Sequence, residues 1–109
     1  GPYTAILNKK NNTNLSKLVT LDFDTVGIRI PENNFVCKLV QKFKKPIITT
    51  SVNAHSEDPL TTINDISKTF RKIAIFKDSK SNDNSLGSTI IDYTKNPEVV
   101  LRLGDGVII

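Results

Sequence analysis

Apolar residues recur at helical spacing in two parts of the chain. Between residues 32 and 44 the apolar positions gather on one side, and lysines and Gln41 fall on the other. These apolar residues are Phe35, Val36, Leu39, Val40 and Phe43. A period near 3.6 residues predicts an amphipathic helix over 32–44, packed on a sheet. A second stripe follows the capping pattern of Thr62 and Asp65 and predicts another helix, and its members are Ile63, Ile66, Phe70 and Ile73.

Short apolar runs bounded by polar, proline or glycine residues predict extended strands. The predicted strands cover 3–7, 18–23, 26–30, 47–50, 73–76, 88–92 and 99–102, with a last apolar run at 107–109. Residues 77–85 are charged and rich in Asn and Ser, which predicts a surface loop. Strands interleaved with two helices indicate one mixed α/β domain.

The composition limits the classes of protein to which this chain can belong. The 109 residues suffice for one compact domain, and the single cysteine, Cys37, excludes an internal disulfide. No apolar run approaches the roughly 20 residues of a membrane span, and no signal-peptide pattern is present, so we expect a soluble, cytoplasmic protein. The net charge of +4 favours a polyanionic partner such as RNA or a nucleotide. Because the chain starts Gly1-Pro2 and contains no methionine, we expect a processed or engineered start, or a piece of a longer chain.

Most familiar catalytic patterns are absent. One histidine, His55, and one cysteine cannot build a protein-only zinc site, so no metal ligands are assigned. The phosphate-binding motifs GxxxxGK[ST] and GxGxxG and the nucleophile motif GxSxG are also missing. The hydroxyl-rich and amide-rich segment 49–53 remains, and it fits either an ordinary turn or a ligand loop. Arg29 and Arg102 each end a predicted strand, where a guanidinium fork could pair with a carboxylate or a phosphate.

Five segments, in this order, resemble the YrdC/TsaC family of threonylcarbamoyl-AMP synthases. They are 2–4, 25–31, 46–53, 88–92 and 100–104, and they match the family patterns PGPxT, TVGVRxP, PLxxTSAN, PSTxVD and LRxG. The resemblance covers essentially the whole chain. It implies a twisted, mixed, open α/β sheet flanked by helices.

The resemblance also implies a function and a set of site residues. Members condense L-threonine, bicarbonate and ATP, with Mg²⁺, into threonylcarbamoyl-AMP and pyrophosphate, and transfer proteins then modify an adenosine of tRNA. The motifs place Thr25, Ser51, Asn53 and Arg102 on ATP, and Arg29 and Thr49 on L-threonine. No side chain is assigned as a catalytic nucleophile, since such chemistry depends on positioning and charge stabilisation.

Several positions depart from the family pattern. His55 and Ser56 stand where a Ser-Gly pair is usual, and Gly87 stands where proline is common. The family's Lys-x-Arg signature is missing, so we expect residues 1–109 to be the C-terminal part of a single YrdC-like domain with an incomplete site. Two alternatives stay open: a non-catalytic module that binds double-stranded RNA or tRNA, and a YrdC-like domain of a hydrogenase-maturation carbamoyltransferase.

Overall fold

A computed structural model describes residues 1–11, 15–77 and 84–108. The helices and strands of these residues alternate along the chain. In order they are β1 (Tyr3–Asn8), α1 (Lys17–Thr20), β2 (Thr25–Ile28), α2 (Asn34–Phe43), α3 (Ile63–Thr69), β3 (Thr89–Asp92) and β4 (Val99–Arg102). The four strands form one open sheet in the order β2-β1-β3-β4.

The sheet is mixed, as the sequence predicted. β1 pairs with β2 antiparallel and with β3 parallel, and β3 pairs with β4 antiparallel. Ala5 of β1 therefore lies between Ile28 of β2 and Ile91 of β3. Ile91 is buried, and its neighbours Thr89 and Asp92 are buried polar residues, so the small core of the sheet lies on β3.

The two faces of the sheet differ in character, because successive strand residues point to opposite sides. One face, here called the apolar face, carries Tyr3, Ala5, Leu7, Val26, Ile28 and Ile91. An open depression of about 350 Å³ lies on it, beside Tyr3, Ile28 and Tyr93. The opposite face, here called the site face, carries Thr4, Thr25, Gly27 and Arg102 among its residues.

α2 confirms the predicted helix but not its predicted packing. Asn33 caps it, since its Oδ1 accepts a hydrogen bond from the Val36 N–H at 3.0 Å, and the helix ends at Lys44 in the left-handed conformation. No residue of α2 is buried, and Phe35 keeps 61% of its surface exposed. The prediction that this helix packs on a sheet is therefore wrong for the described residues. Phe35, Leu39 and Phe43 of its apolar stripe are exposed, while Val36 and Val40 are half-buried.

α3 is also capped as predicted. The Thr62 hydroxyl accepts a hydrogen bond from the Asp65 N–H at 3.2 Å. The helix stops at Thr69, with Phe70 as its C-cap, so it ends before Ile73, the last member of the predicted stripe. Capping chemistry thus located the start of this helix better than periodicity located its end.

Several predicted strands are not strands. Residues 18–23 overlap α1, because Ser16 caps that short helix by accepting from the Leu18 N–H at 3.2 Å. Residues 47–50, 73–76 and 107–108 pair with no strand among the described residues, and Ile48 is 73% exposed. A strand needs a neighbouring ladder, which an apolar run alone does not supply. Most of the predicted loop 77–85, and Ile109, lie outside the described residues.

The chain divides into two compact units. The sheet unit comprises Gly1–Ile48 and Leu86–Ile109, and the loop unit comprises Thr49–Ser85. The sheet unit holds α2 and all four strands, and the loop unit holds α3. No helix in residues 1–11, 15–77 and 84–108 combines the length and the apolar composition needed to cross a membrane.

Asp92, the last residue of β3, is expected to couple stability to acid pH. Its Oδ1 accepts hydrogen bonds from the Thr94 hydroxyl at 2.6 Å and from the Thr94 N–H at 2.9 Å. These bonds, with a smaller contribution from the charge of Lys95, lower the pKa of Asp92 although burial opposes the shift. A lowered pKa in the folded state stabilises the fold above the carboxyl's ordinary pKa of about 4, and this contribution is lost as pH falls through the lowered pKa.

Thr94→Val removes the side-chain hydrogen bond, so the pKa of Asp92 should rise and acid unfolding should begin at a higher pH. Thr94→Ser keeps the hydroxyl and serves as the control. NMR titration of the Asp92 carboxyl, paired with acid unfolding curves, measures both effects. Identical pKa values in the natural chain and the valine variant would contradict the assignment.

Candidate functional site

Arg102 ends β4 on the site face and is anchored by backbone. Its Nε and Nη2 donate to the Ser88 carbonyl oxygen at 3.1 and 2.7 Å, and Nη2 also donates to the Ser88 hydroxyl at 3.3 Å. The Nη1 group makes no hydrogen bond to the described residues. The guanidinium is thus held along one edge, and the N–H donors of Nη1 remain available to an anion.

A pair of hydroxyls adjoins this guanidinium. The side-chain oxygens of Thr4 and Ser88 lie 2.7 Å apart in a hydrogen bond, and Ser88 is buried. The contact joins residues 84 positions apart in sequence, because β1 and β3 run side by side. The site face therefore combines a cation with two polar hydroxyls at one point.

Arg29 lies just beyond β2, on the other side of that pair from Arg102. Ile28, the last residue of β2, lies opposite Ala5, so extending this register by one residue would bring Arg29 level with Thr4. Thr4 in turn lies opposite Ile90, which lies opposite Arg102. Three strand spacings of about 4.8 Å would then separate the backbones of the two arginines by about 14 Å. Arg29 follows the last residue of β2 and is exposed. Alternation continued one residue beyond the strand would put it on the same face as Gly27.

Thr25 lies at the far end of the site face. It pairs with Asn8, four residues along β1 from Thr4, and at about 3.3 Å per residue this amounts to about 13 Å. Thr25 is half-buried. The sheet thus separates Thr25 from the arginine level by a distance that only an extended ligand would span.

The remaining predicted site residues lie in the loop unit. The Ser51 hydroxyl donates to Asn53 Oδ1 at 2.5 Å, and Asn53 Nδ2 donates to the carbonyls of Ala54 and Glu57, each at 3.0 Å. The side chain of Asn53 therefore stabilises the conformation of this loop and orients the Ser51 hydroxyl. An open depression of about 230 Å³ adjoins Ser51 and Asn53, with Phe70 and Ile73 on its apolar side. Thr49 is exposed at the start of the unit.

The sequence singled out Arg29 and Arg102 but not the two hydroxyls beside Arg102. Thr4 and Ser88 belong to the motif segments 2–4 and 88–92. This membership is the sequence signal that could have identified them as site residues. Their contact depends on the pairing of β1 with β3, which no local pattern reveals. The described residues contain no cluster of three or more His, Cys, Asp or Glu side chains that could hold a metal ion.

Three curated relatives of this chain carry the same name. The chain is 30% identical over 105 residues to the threonylcarbamoyl-AMP synthase of Pyrococcus abyssi, an alignment that covers 95% of this chain and 30% of that protein. It is 35% identical over 71 residues to the enzyme of the same name from Psychromonas ingrahamii, covering 65% of this chain and 36% of the relative. The Mus musculus enzyme is 29% identical over 102 residues, covering 86% and 35%. The chain spans about a third of the length of these relatives.

Solved structures give a matching result. A structure of P. abyssi Sua5 with two substitutions aligns with 95% of this chain and 32% of its own, at a TM-score of 0.81 and 30% identity. The crystal structure of P. abyssi Sua5 complexed with L-threonine aligns at a TM-score of 0.79 and 30% identity, covering 95% of this chain and 30% of its own. The mixed open sheet is therefore the YrdC-like fold that the sequence predicted.

A family model matches the part of the chain that contains both the strands and the loop with the predicted site residues. The model, Sua5_yciO_yrdC with the description "Telomere recombination", matches residues 1–104. That range includes all five motif segments, with Arg29 and Arg102. The chain belongs to the Sua5/YciO/YrdC family.

Proposed function

We propose that this chain takes part in the synthesis of threonylcarbamoyl-AMP from L-threonine, bicarbonate and ATP. The observation that carries the proposal is the alignment of 95% of the chain with a Sua5 structure complexed with L-threonine. Curated relatives named threonylcarbamoyl-AMP synthase support the same activity. The chain would supply part of that site, as part of a single YrdC-like domain.

The site face suits two anionic ligands. Arg29 would pair with the carboxylate of L-threonine through its guanidinium fork. Arg102 would bind a phosphate of ATP through the N–H donors of Nη1, because Ser88 occupies its Nε and Nη2. Arg102 adjoins the Thr4 and Ser88 hydroxyls, and Arg29 directly follows the last residue of β2 on the other side of β1. Thr25, at the other end of the face, would contact a more distant part of ATP.

The loop unit would supply the other contacts. Ser51 is exposed, and its hydroxyl is directed by Asn53, so it is the residue of this loop best placed to meet ATP. Asn53 would contribute to ATP binding mainly through the shape that it gives the loop. Thr49 would hold L-threonine through its exposed hydroxyl.

The chemistry needs positioning rather than a protein nucleophile. The amino nitrogen of L-threonine attacks the carbon of bicarbonate, and water leaves to give an N-carboxylate. An oxygen of that carboxylate attacks the α-phosphorus of ATP, a P–O bond forms, and pyrophosphate leaves. Negative charge builds on the phosphates during the second step, so a fixed guanidinium such as that of Arg102 stabilises the transition state.

Mg²⁺ and the downstream partners are also part of the proposal. Mg²⁺ would accompany the triphosphate, whose oxygens are its usual ligands in nucleotide sites. We also propose that the product passes to transfer proteins that modify tRNA, and that the reaction takes place in the cytoplasm. A purely RNA-binding role is not favoured, since the named relatives are synthases.

Arg29 provides the test of this function. Arg29→Ala in the full-length gene product should raise the KM for L-threonine about 10- to 100-fold, the effect of losing a charge-assisted pair. Arg29→Lys keeps the positive charge but lacks the guanidinium fork. Its KM for L-threonine should therefore lie between those of the natural protein and the alanine variant. Pyrophosphate release with L-threonine varied at saturating ATP measures the change. A natural protein that binds neither ATP nor L-threonine in calorimetry, or an alanine variant with an unchanged KM, would refute the proposal.

A further inference from the structure

Thr89, the first residue of β3, is a polar side chain sealed inside the protein. Its exposed fraction is 0%, and it is the largest side chain that the described residues bury completely. Its hydroxyl donates to the Gly106 carbonyl oxygen at 2.7 Å and accepts from the N–H groups of Gly104 and Gly106 at 2.9 and 3.0 Å. One donor and two lone pairs are thereby used in full, so this hydroxyl has no capacity left for a ligand.

Those three bonds fix both backbone segments that frame Arg102. Gly104 lies two residues after Arg102, and its N–H is tied to Thr89. Ser88, whose carbonyl oxygen anchors the Arg102 guanidinium, is the residue directly before Thr89. The same side chain therefore immobilises the turn that follows the arginine and the strand entry that holds its guanidinium.

Two further hydrogen bonds hold the 104–106 turn, but they do not replace those of Thr89. The Asp105 N–H donates to the Gly87 carbonyl oxygen at 2.8 Å, and the Leu86 N–H donates to Asp105 Oδ1 at 2.8 Å. Both tie the turn to residues before Ser88. The bonds of Thr89 to the turn differ from these because they are made by a fully buried side chain. Water therefore cannot replace a lost partner there.

We propose that Thr89 is a positioning residue for Arg102: it holds that guanidinium in the orientation that binds the phosphates of ATP. The inference rests on the proposed function, in which Arg102 contacts ATP. It assigns to Thr89 no contact with substrate, since the hydroxyl is saturated by the 104–106 turn. Loss of the hydroxyl would leave buried donors unpaired and would loosen the turn on which Arg102 depends.

The test is a double-mutant cycle on the full-length gene product, with ATP binding measured by calorimetry. Thr89→Val keeps the shape and removes the hydroxyl, and it should raise the Kd for ATP about tenfold. Thr89→Ser retains the hydroxyl and should restore most of the affinity. In an Arg102→Ala background Thr89→Val should add little, because the two changes act through one contact.

A merely structural role predicts a different pattern. In that case Thr89→Val would weaken ATP binding by the same factor with Arg102 or alanine at position 102, and the proposal would be overturned. If Arg102→Ala itself leaves the Kd unchanged, the ATP contact of the proposed function fails instead. If the valine variant does not fold, Thr89→Cys, which exchanges the serine variant's hydroxyl for a thiol, is compared with Thr89→Ser in the same cycle.

Discussion

Arg102→Ala is expected to weaken ATP binding about 10- to 100-fold in the full-length gene product, which is the effect of removing a charge-assisted hydrogen-bonded pair. The guanidinium is already oriented, since Nε and Nη2 are bound to the Ser88 carbonyl oxygen at 3.1 and 2.7 Å. Little side-chain entropy is therefore lost when a phosphate binds the remaining donors. Calorimetry with ATP measures the loss directly.

Two further variants separate geometry from charge. Arg102→Lys preserves the charge but cannot bind the Ser88 carbonyl and a phosphate through one planar fork, so it should recover only a small part of the affinity. Arg71→Ala is the matched control, because Arg71 is an exposed arginine of the loop unit whose Nε donates to the Lys68 carbonyl oxygen at 3.4 Å. Equal loss of ATP affinity in the Arg71 and Arg102 variants would indicate a general charge effect and would contradict the assigned contact.

Where local chemistry decides the structure, the sequence predicted it. Polar, proline or glycine boundaries marked the segments that became β1, β2, β3 and β4 to within a few residues. The Thr62 cap of α3 was predicted, because it is a short-range signal that reaches the N–H three residues ahead. The equivalent Asn33 cap of α2 is of the same kind but was not predicted. The mixed order of the sheet followed from the family resemblance rather than from any of these signals.

Where structure depends on a distant partner, local pattern misled. The run 47–50 has the composition of a buried strand, but Ile48 is 73% exposed and lies beside no ladder. The stripe of α2 predicted a packed helix, yet Phe43 keeps 57% of its surface exposed. Burial is a property of two surfaces, and a sequence pattern describes only one of them.

The same distinction applies to the candidate site. Arg29 and Arg102 could be proposed from the sequence because a guanidinium fork near the end of a predicted strand is chemically distinctive in a lysine-rich chain. The bond between Thr4 and Ser88 could not, since it spans 84 positions and exists only through the pairing of β1 with β3. The saturation of Thr89 by the 104–106 turn is hidden for the same reason.

Gly104→Ala is expected to lower the free energy of unfolding by about 3 kcal/mol, at the upper end of what overpacking costs. A Cβ at this position would overlap the Gly87 carbonyl oxygen and lie 2.7 Å from the Ser88 carbonyl carbon. Both are backbone atoms, so no side-chain rotation can relieve the contact. Moving them would also break the bond from the Asp105 N–H to the Gly87 oxygen and shift the carbonyl that anchors Arg102.

Gly27→Ala is the control for this effect, because it adds the same methyl group to a glycine of β2. Its Cβ would meet the Ile6 Cδ1 atom at 3.3 Å and the Thr4 Cγ2 atom at 3.6 Å, both of them side-chain atoms that can give way. The control should therefore change stability by less than about 1 kcal/mol. Urea unfolding of both variants against the natural protein measures the difference, and ATP calorimetry on the folded fraction should show weakened binding for Gly104→Ala. Equal unfolding midpoints for the two variants would mean that the 104–106 turn can move away from Gly87, and the rigid frame around Arg102 would then be wrong.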